Sequence, residues 1–554
     1  MGLVSFPFST EWQSLPVGFM VLMLTSSLFI WYQRNHHHGS RATYNPPLPP
    51  GPKKLPFIGN ALDMPPADQH IKFTQWGKQY NSDILHLRVM GMDYIVLNSW
   101  DAVIDLLDKR SGIYSSRPHA TMLQDLIGWE GDLGLMCYGK AFNEHKKLFH
   151  QEFHPSNSSL HRPHERKALG VFLNSLIDTP EEWGSHIKQL IGAIIIGVAY
   201  GVQVQPKDDP NIDAAARMYG VLNTVLLPGA FLVDALPILR YIPSWFPGAS
   251  FKQKAKAWYG VRKETILPPY MQVKQAMING TANDSFTLRC LKNGENMVDP
   301  RVDHLSEEEE IIMQTAGTLY EAGADTGKTA LRTFILAMTC FPKAQRDAQE
   351  EIDCVIGQER LPDYEDIVDD SDASVSLPYL RAVVLECFRW QTVVPLAVPH
   401  LVDTEDTYRG LYIPKGATIL PNVWAILRDE KRYGPTAHTF DPERWLLKND
   451  NSATGGSRWK LNPDMMVHDP IPMSFGFGRR ACPGKHMALS TFQINVVSLL
   501  HCFDITPPVD VAGNLVMPEI EYVTRLTSAP APFECSIKPR SEKHVALVQE
   551  MLLD

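Results

Sequence analysis

Hydrophobic and polar positions follow different rules in different parts of this chain. No charged residue lies between Glu11 and Arg34, and the 22 positions between them include LPVGFMVLMLTSSLFIWY. Coiled as a helix, that stretch spans roughly 33 Å, against about 30 Å for a bilayer's hydrocarbon core. No Lys or Arg precedes Arg34, so a secretory signal would lack its basic start. Arg34, Arg41, Lys53 and Lys54 all follow the apolar run, which predicts a membrane anchor over residues 1–33 with the bulk of the chain on the cytoplasmic side. The six prolines between Tyr44 and Asn60 exclude helix and central strand, so residues 34–60 are expected to form a basic, Pro-rich hinge acting as a stiff spacer.

Beyond residue 60 the helical period dominates. It predicts helices over Asp101–Lys109, Trp183–Tyr200, Ser306–Cys340, Pro342–Ile356, Pro378–Trp390 and Lys485–Leu500. Ser306 with Glu309 forms a capping box, and the acids Glu307 to Glu310 suit the positive end of that helix. Strand-like runs, ILHLRV (Ile84–Val89) and YIVLN (Tyr94–Asn98), occur early. The segment Lys448–Met466 is polar and reads as a surface loop. No second linker and no repeat interrupts residues 61–554, so they are expected to form one domain, mostly α with minor β.

Composition narrows the function. The 554 residues carry a formal net charge of −10 with no long Lys/Arg run, which argues against a nucleic-acid partner. Eight cysteines lie scattered without a C-x-x-C pair, so neither a zinc site nor a disulfide framework is expected and a reducing compartment fits. Seven are read as small buried hydrophobes. The triplet His36, His37, His38 is read as polar linker.

The eighth, Cys482, sits in FGFGRRACPG (475–484). Glycines there let backbone approach a flat ligand, and the cysteine falls just before a helix N-terminus with Arg479 and Arg480 beside it. Such a thiolate is either a redox nucleophile or a metal ligand, and the motif holds no resolving cysteine. Phe475, Gly478, Arg480, Cys482 and Gly484 fit F-x-x-G-x-R-x-C-x-G, which resembles the haem-binding signature of the cytochrome P-450 family. The resemblance implies that Cys482 is the axial ligand of the iron of haem b. It also implies that Arg480 pairs with a propionate, that Phe475 packs on the thiolate side, and that Gly484 belongs to the cofactor loop.

Three further stretches carry the same resemblance. LECFRW supplies Glu386 and Arg389, and DPERW supplies Arg444; in this order they resemble the family's structural salt-bridge triad. Ala322, Gly323, Ala324, Asp325 and Thr326 resemble its oxygen-activation motif, which implies room for dioxygen, Asp325 as proton relay and Thr326 as hydrogen-bond partner of the distal oxygen. After Tyr138-Gly139 the chain departs from the family's W-R-x-x-R/K run. Phe142 and Asn143 stand in for tryptophan and arginine, leaving Lys146 for one propionate and His400 for the other. Pocket candidates by resemblance fall in Pro118–Met136, Thr315–Ala322, Val393–Ala397 and Tyr522–Thr527, with Leu319, Ala322, Val394, Leu396, Arg525 and Leu526 foremost. Arg525 is read two ways, as solvent-facing or as a ligand for a substrate oxygen or carboxylate.

The resemblance therefore implies a P-450 fold with an N-terminal transmembrane helix, held in the endoplasmic reticulum membrane with its catalytic domain in the cytoplasm. It implies an NADPH- and O2-dependent monooxygenase fed by an NADPH–cytochrome reductase, with cytochrome b5 as a second donor. Lys140, Lys146, Lys147, Arg479 and Lys485 would form the basic face that meets that partner. FGFGRRACPGKHMA and IKPRSE are similar to fungal members that tailor secondary metabolites, making a lipophilic terpenoid the leading substrate class. Two other classes are a haem-thiolate isomerase or dehydratase acting on a peroxide, and a non-catalytic haem-binding membrane protein. Asp325 and Thr326 weigh against both. The sequons at Asn157, Asn279 and Asn283 are expected to be unmodified in this orientation.

Overall fold

A helix of 34 residues runs through the middle of the protein, and the elements that bear on its chemistry are arranged around it. The computed structural model describes residues 46–226, 229–294, 304–367, 377–449 and 457–552. The predicted anchor lies outside them, and no helix among the described residues is long and apolar enough to cross a membrane.

Short turns aside, the helices are α1 (Gln69–Gln79), α2 (Lys140–Glu152), α3 (Arg162–Asp178), α4 (Trp183–Tyr200), α5 (Pro210–Val225), α6 (Ser250–Trp258), α7 (Val261–Asn279), α8 (Phe286–Asn293), α9 (Glu307–Cys340), α10 (Pro342–Val355), α11 (Pro378–Trp390), α12 (Lys485–Cys502) and α13 (Glu542–Glu550). The long central helix is α9. Ser306 caps it by accepting from the Glu309 amide while Glu309 reaches back, as its sequence predicts. In α11 every residue but Arg381 is buried, so this helix is enclosed on all sides.

The spacing of α4 against α9 depends on glycine. A Cβ on Gly323 would stand 2.5 Å from Cδ1 of Ile195 in α4, and one on Gly327 would stand 3.2 Å from Ile191. The mid-helix glycine of the A-G-A-D-T stretch therefore serves the crossing of two helices.

One sheet holds four strands: β1 (Ile84–Val89), β2 (Met92–Leu97), β3 (His400–Leu401) and β4 (Thr418–Pro421), in spatial order β1-β2-β4-β3. β1 and β2 are an antiparallel hairpin with Ile84 opposite Leu97, β4 runs parallel to β2 with Tyr94 opposite Thr418, and His400 faces Ile419. From residue 46 the Pro-rich segment lies against this layer: the His86 amide donates to Pro50 O at 2.9 Å and the Tyr412 amide to Pro47 O at 2.8 Å. β5 (Phe503–Thr506) pairs with β8 (Ser536–Pro539), and β6 (Tyr522–Thr524) with β7 (Ser528–Pro530) form a hairpin whose second strand packs on α9.

Three local expectations change. The helix predicted over Asp101–Lys109 starts at Trp100 and widens to a π-turn from Ile104. The polar segment Lys448–Met466 is not a plain loop, since it carries a strand, Trp459–Leu461, and a helical turn, Pro463–Met466. All eight cysteines are unpaired, but Cys137 and Cys354 are exposed, so the reading of seven buried hydrophobes fails for these two.

Candidate functional site

The loop before α12 turns back on itself so that the Cys482 amide donates to Phe475 O at 2.7 Å. Gly476 and Gly478 hold positive φ, +81° and +49°, and at Gly478 a Cβ would meet Leu107 O at 2.4 Å, so only glycine fits. Phe475 packs on Phe388 of α11 at 5.4 Å between centroids. By area Cys482 is exposed, yet protein surrounds its sulfur closely enough to push the thiol's pKa up. The two observations agree when the open area faces the clefts of the protein rather than bulk solvent. A hydrogen bond from the Gly484 amide and the charge of Lys485 pull the thiol back down. The arginines of the motif do not contribute as the sequence suggested. Arg479 turns to the Tyr138 hydroxyl at 2.9 Å, and Arg480 points into the protein.

Arg480 ends in a cationic pocket. Its guanidinium donates to Ser115 O at 2.6 Å, to Leu133 O at 3.1 Å and to Met136 O, and stands 3.8 Å from the centroid of the Phe142 ring. Arg117, unremarked in the sequence, lies beside it, buried and bonded to Gly134 O, Val398 O and Pro399 O. Burial and the charge of Arg480 hold the Arg117 pKa well below its ordinary value, while burial brings Arg480 down to about 10. His400 completes the group. Its Nδ1 lies 2.8 Å from Tyr114 O, and burial followed by the Arg117 charge keeps its pKa well below the usual imidazole range. A buried and a half-buried guanidinium that repel one another and hydrogen-bond only to backbone carbonyls make a seat for anions. Lys146 does not join them by hydrogen bond; its Nζ donates to Arg479 O at 2.5 Å.

The middle of α9 opens. Residues on either side of it are buried, whereas Ala322 is exposed and Gly323 to Lys328 are partly open. Thr326 donates its hydroxyl hydrogen to Ala322 O at 2.9 Å, leaving the oxygen as an acceptor. Asp325 is held on both oxygens: Oδ1 meets Lys328 Nζ at 2.5 Å and Oδ2 accepts from Thr527 Oγ1 at 2.9 Å, while burial and then the nearby Asp325 charge raise the pKa of the Tyr219 hydroxyl. Thr527 carries no local sequence signal, because it meets Asp325 from a distant segment, whereas Lys328 lies one turn further along the same helix.

A profile of the cytochrome P-450 family matches residues 49–527. The chain belongs to the cytochrome P-450 family. It is 37% identical over 540 residues to cytochrome P-450 monooxygenase ple1 of Rhodocybe pseudopiperita, covering 97% of this chain and 96% of that protein. It is 39% identical over 498 residues to tryptamine 4-monooxygenase of Psilocybe cyanescens, covering 90% and 94%, and 39% identical over 534 residues to cytochrome P-450 monooxygenase 208 of Postia placenta, covering 96% of each. This P-450 is thus an oxidoreductase of the monooxygenase class.

Its residues fit the family's haem. Cys482 offers a thiolate in a glycine loop open to a flat ligand, which suits a metal that carries its other ligands with it, as haem iron does. The paired guanidiniums match the two propionates. The triad residues meet as well: Arg389 grips both oxygens of Glu386 at 2.8 and 2.7 Å, and Arg444 Nε reaches the same carboxylate at 3.1 Å. Trp445 Nε1 at 2.9 Å and the Asp441 amide at 2.9 Å complete its shell. Among the pocket candidates, Leu319 is buried on α9 near the open stretch, while Leu396 packs on the small core beneath the sheet. Val394 and Leu526 are partly open. Arg525 is exposed at the hairpin tip with no side-chain partner among the described residues.

Proposed function

We propose that this P-450 inserts one atom of dioxygen into a lipophilic secondary metabolite, a terpenoid in the leading case, with electrons passed from NADPH through a membrane-bound reductase. The observation that carries the reading is Cys482 in its glycine loop together with an opened α9 bearing Asp325 and Thr326. Cys482 would hold the haem iron, and Arg117, Arg480 and His400 its propionates. Bound there, haem supplies the activation of oxygen. The side chains around it manage protons: Thr326 offers an acceptor oxygen, and Lys328, with 30% of its side chain exposed, links Asp325 to solvent.

On the outer side of the cysteine loop lies a cleft of about 410 Å³ whose lining includes Cys482, Lys146, Lys485, His150 and Asp108 and no residue of α9. With Lys140, Lys147 and Arg479 nearby in the chain, its cationic rim suits an acidic reductase surface. Residues 1–33 would anchor the protein in the endoplasmic reticulum membrane with the catalytic domain in the cytoplasm. The name of the Psilocybe cyanescens relative makes indolic amines the second substrate class.

The test uses membranes holding this protein and a reductase, incubated with terpene scaffolds and indolic amines with and without NADPH, and product masses. A product heavier by one oxygen that requires NADPH supports the reading and names the substrate class. An isomeric product formed without NADPH would replace it with peroxide rearrangement.

A further inference from the structure

The turn 131–136, just before α2, works in two directions. Towards the cationic pocket it offers carbonyls: Leu133 O and Met136 O accept from Arg480, and Gly134 O accepts from Arg117 at 3.0 Å. Towards α9 it is fastened. The Leu133 amide donates to Thr318 Oγ1 at 3.3 Å, and among the described residues it has no other acceptor. The hydroxyl hydrogen of Thr318 lies between Asp132 Oδ2 at 3.3 Å and Gln314 O at 3.1 Å. Gly131 presses on the same stretch of α9, where a Cβ would stand 2.5 Å from Cδ of Gln314. Leu133 therefore bridges two systems, with its amide on Thr318 and its carbonyl on Arg480. Behind Asp132 stands Arg262 of α7, buried like the acids it faces. Its Nε meets the two oxygens of Glu321 at 3.0 and 3.3 Å, Nη1 donates to Gln314 Oε1, and Nη2 donates to Gln314 O at 3.3 Å. The same Nη2 lies 3.9 Å from Asp132 Oδ2. The other oxygen of Asp132 accepts from the Leu135 amide at 3.2 Å, so one acid holds the curl of the turn and faces a cation that α9 fixes.

We propose that Thr318 and Asp132, braced by Arg262 and Glu321, are positioning residues for the propionate seat: they hold the turn 131–136 against α9, so that its carbonyls keep Arg480 and Arg117 side by side. The need for such a brace is electrostatic. The two guanidiniums repel one another, and carbonyls on an unfastened turn would follow them as they part. The sequence reading placed residues 132 and 318 among the pocket candidates, whereas both side chains are buried and turned to this joint. The proposal rests on the reading that Arg117 and Arg480 hold the haem propionates, and it does not depend on which substrate is oxidised.

The test mixes the haem-loaded full chain with an excess of apomyoglobin and follows haem transfer by absorbance. Arg480→Lys checks the seat itself and should speed transfer by about ten-fold or more, as expected for lost hydrogen bonds to a charged group. Thr318→Val strands the Leu133 amide in the interior and should speed transfer by about three- to ten-fold, while Thr318→Ser keeps the acceptor and should restore the parent rate. Thr339→Val removes a buried hydroxyl bonded to Ile335 O at 2.8 Å near the far end of the same helix, and should leave transfer unchanged. The reduction potential of the haem iron should fall in Thr318→Val and not in Thr339→Val, because a cation that shifts away favours the added electron less. In the double variant of Thr318→Val with Arg480→Lys the acceleration should fall short of the product of the singles. If Thr318→Val does not accumulate, Asp132→Asn, which removes the charge facing Arg262, is expected to speed transfer in the same way. A parent-like rate and potential in Thr318→Val or, failing that variant, in Asp132→Asn, beside a strong effect of Arg480→Lys, would overturn the brace and leave the seat standing. An Arg480→Lys variant that holds haem like the parent would overturn the seat and the brace with it.

Discussion

The guanidinium of Arg480 stacks 3.8 Å over the ring of Phe142, the residue that takes the place of tryptophan in this chain. Arg480 is thereby held between an aromatic face and three backbone carbonyls, facing Arg117. Replacing Phe142 with Leu should cost about 1 kcal/mol of that support, read as roughly five-fold faster transfer of haem to an acceptor protein. Phe142→Trp should hold haem at least as well as the parent. Equal transfer rates for the Leu and Trp variants would show that the stacking has no part in cofactor retention.

Gly323 makes a second case. Adding a methyl group gains about 1 kcal/mol of helix propensity but forces a close contact with Ile195, a strain of about 1–3 kcal/mol. Gly323→Ala is expected to lower the unfolding midpoint, and Ile195→Val in the same chain to restore part of the loss. A more stable Gly323→Ala would mean that Ile195 simply turns aside.

Asp234 ties two distant segments together, its Oδ1 accepting from the Met122 amide at 2.8 Å. Burial raises its carboxyl from 3.8 to about 6, against the pull of that amide. The folded protein therefore binds a proton there more tightly than the unfolded chain, so the stability this group contributes is present at low pH and lost as pH rises through about 6. Asp234→Asn should flatten that part of the unfolding-midpoint profile between about pH 5 and pH 7. An unchanged profile in the variant would show that Asp234 does not carry the dependence.

Glu386 joins Arg389 of α11 to Arg444 of the Pro442–Trp445 turn. Glu386→Ala strands two buried guanidiniums, at a cost of about 3–5 kcal/mol, so little holoprotein should accumulate. Glu386→Gln keeps one oxygen for Trp445 or Asp441 and should recover part of the yield. Near-normal denaturation of the Ala variant would show that the carbonyls around Arg389 suffice alone.

What the sequence determined by itself is what lies close along the chain. Helical period and the Ser306–Glu309 box set α9 to within a residue, and a short apolar, strand-like run set β1, because local hydrogen bonds and local propensity need no knowledge of the partner. The cysteine loop and the Glu386–Arg389 spacing were legible for the same reason. The tertiary structure alone decided what crosses between segments. Arg117 joins Arg480, Thr527 meets Asp325, and Ile195 occupies the space beside Gly323, each across more than a hundred positions of sequence. It also turned Arg479 and Arg480 away from the cysteine they flank, since neighbours in sequence can leave a turn in opposite directions. Contacts of that kind are set by how helices pack, and a pattern read along one chain has no term for them.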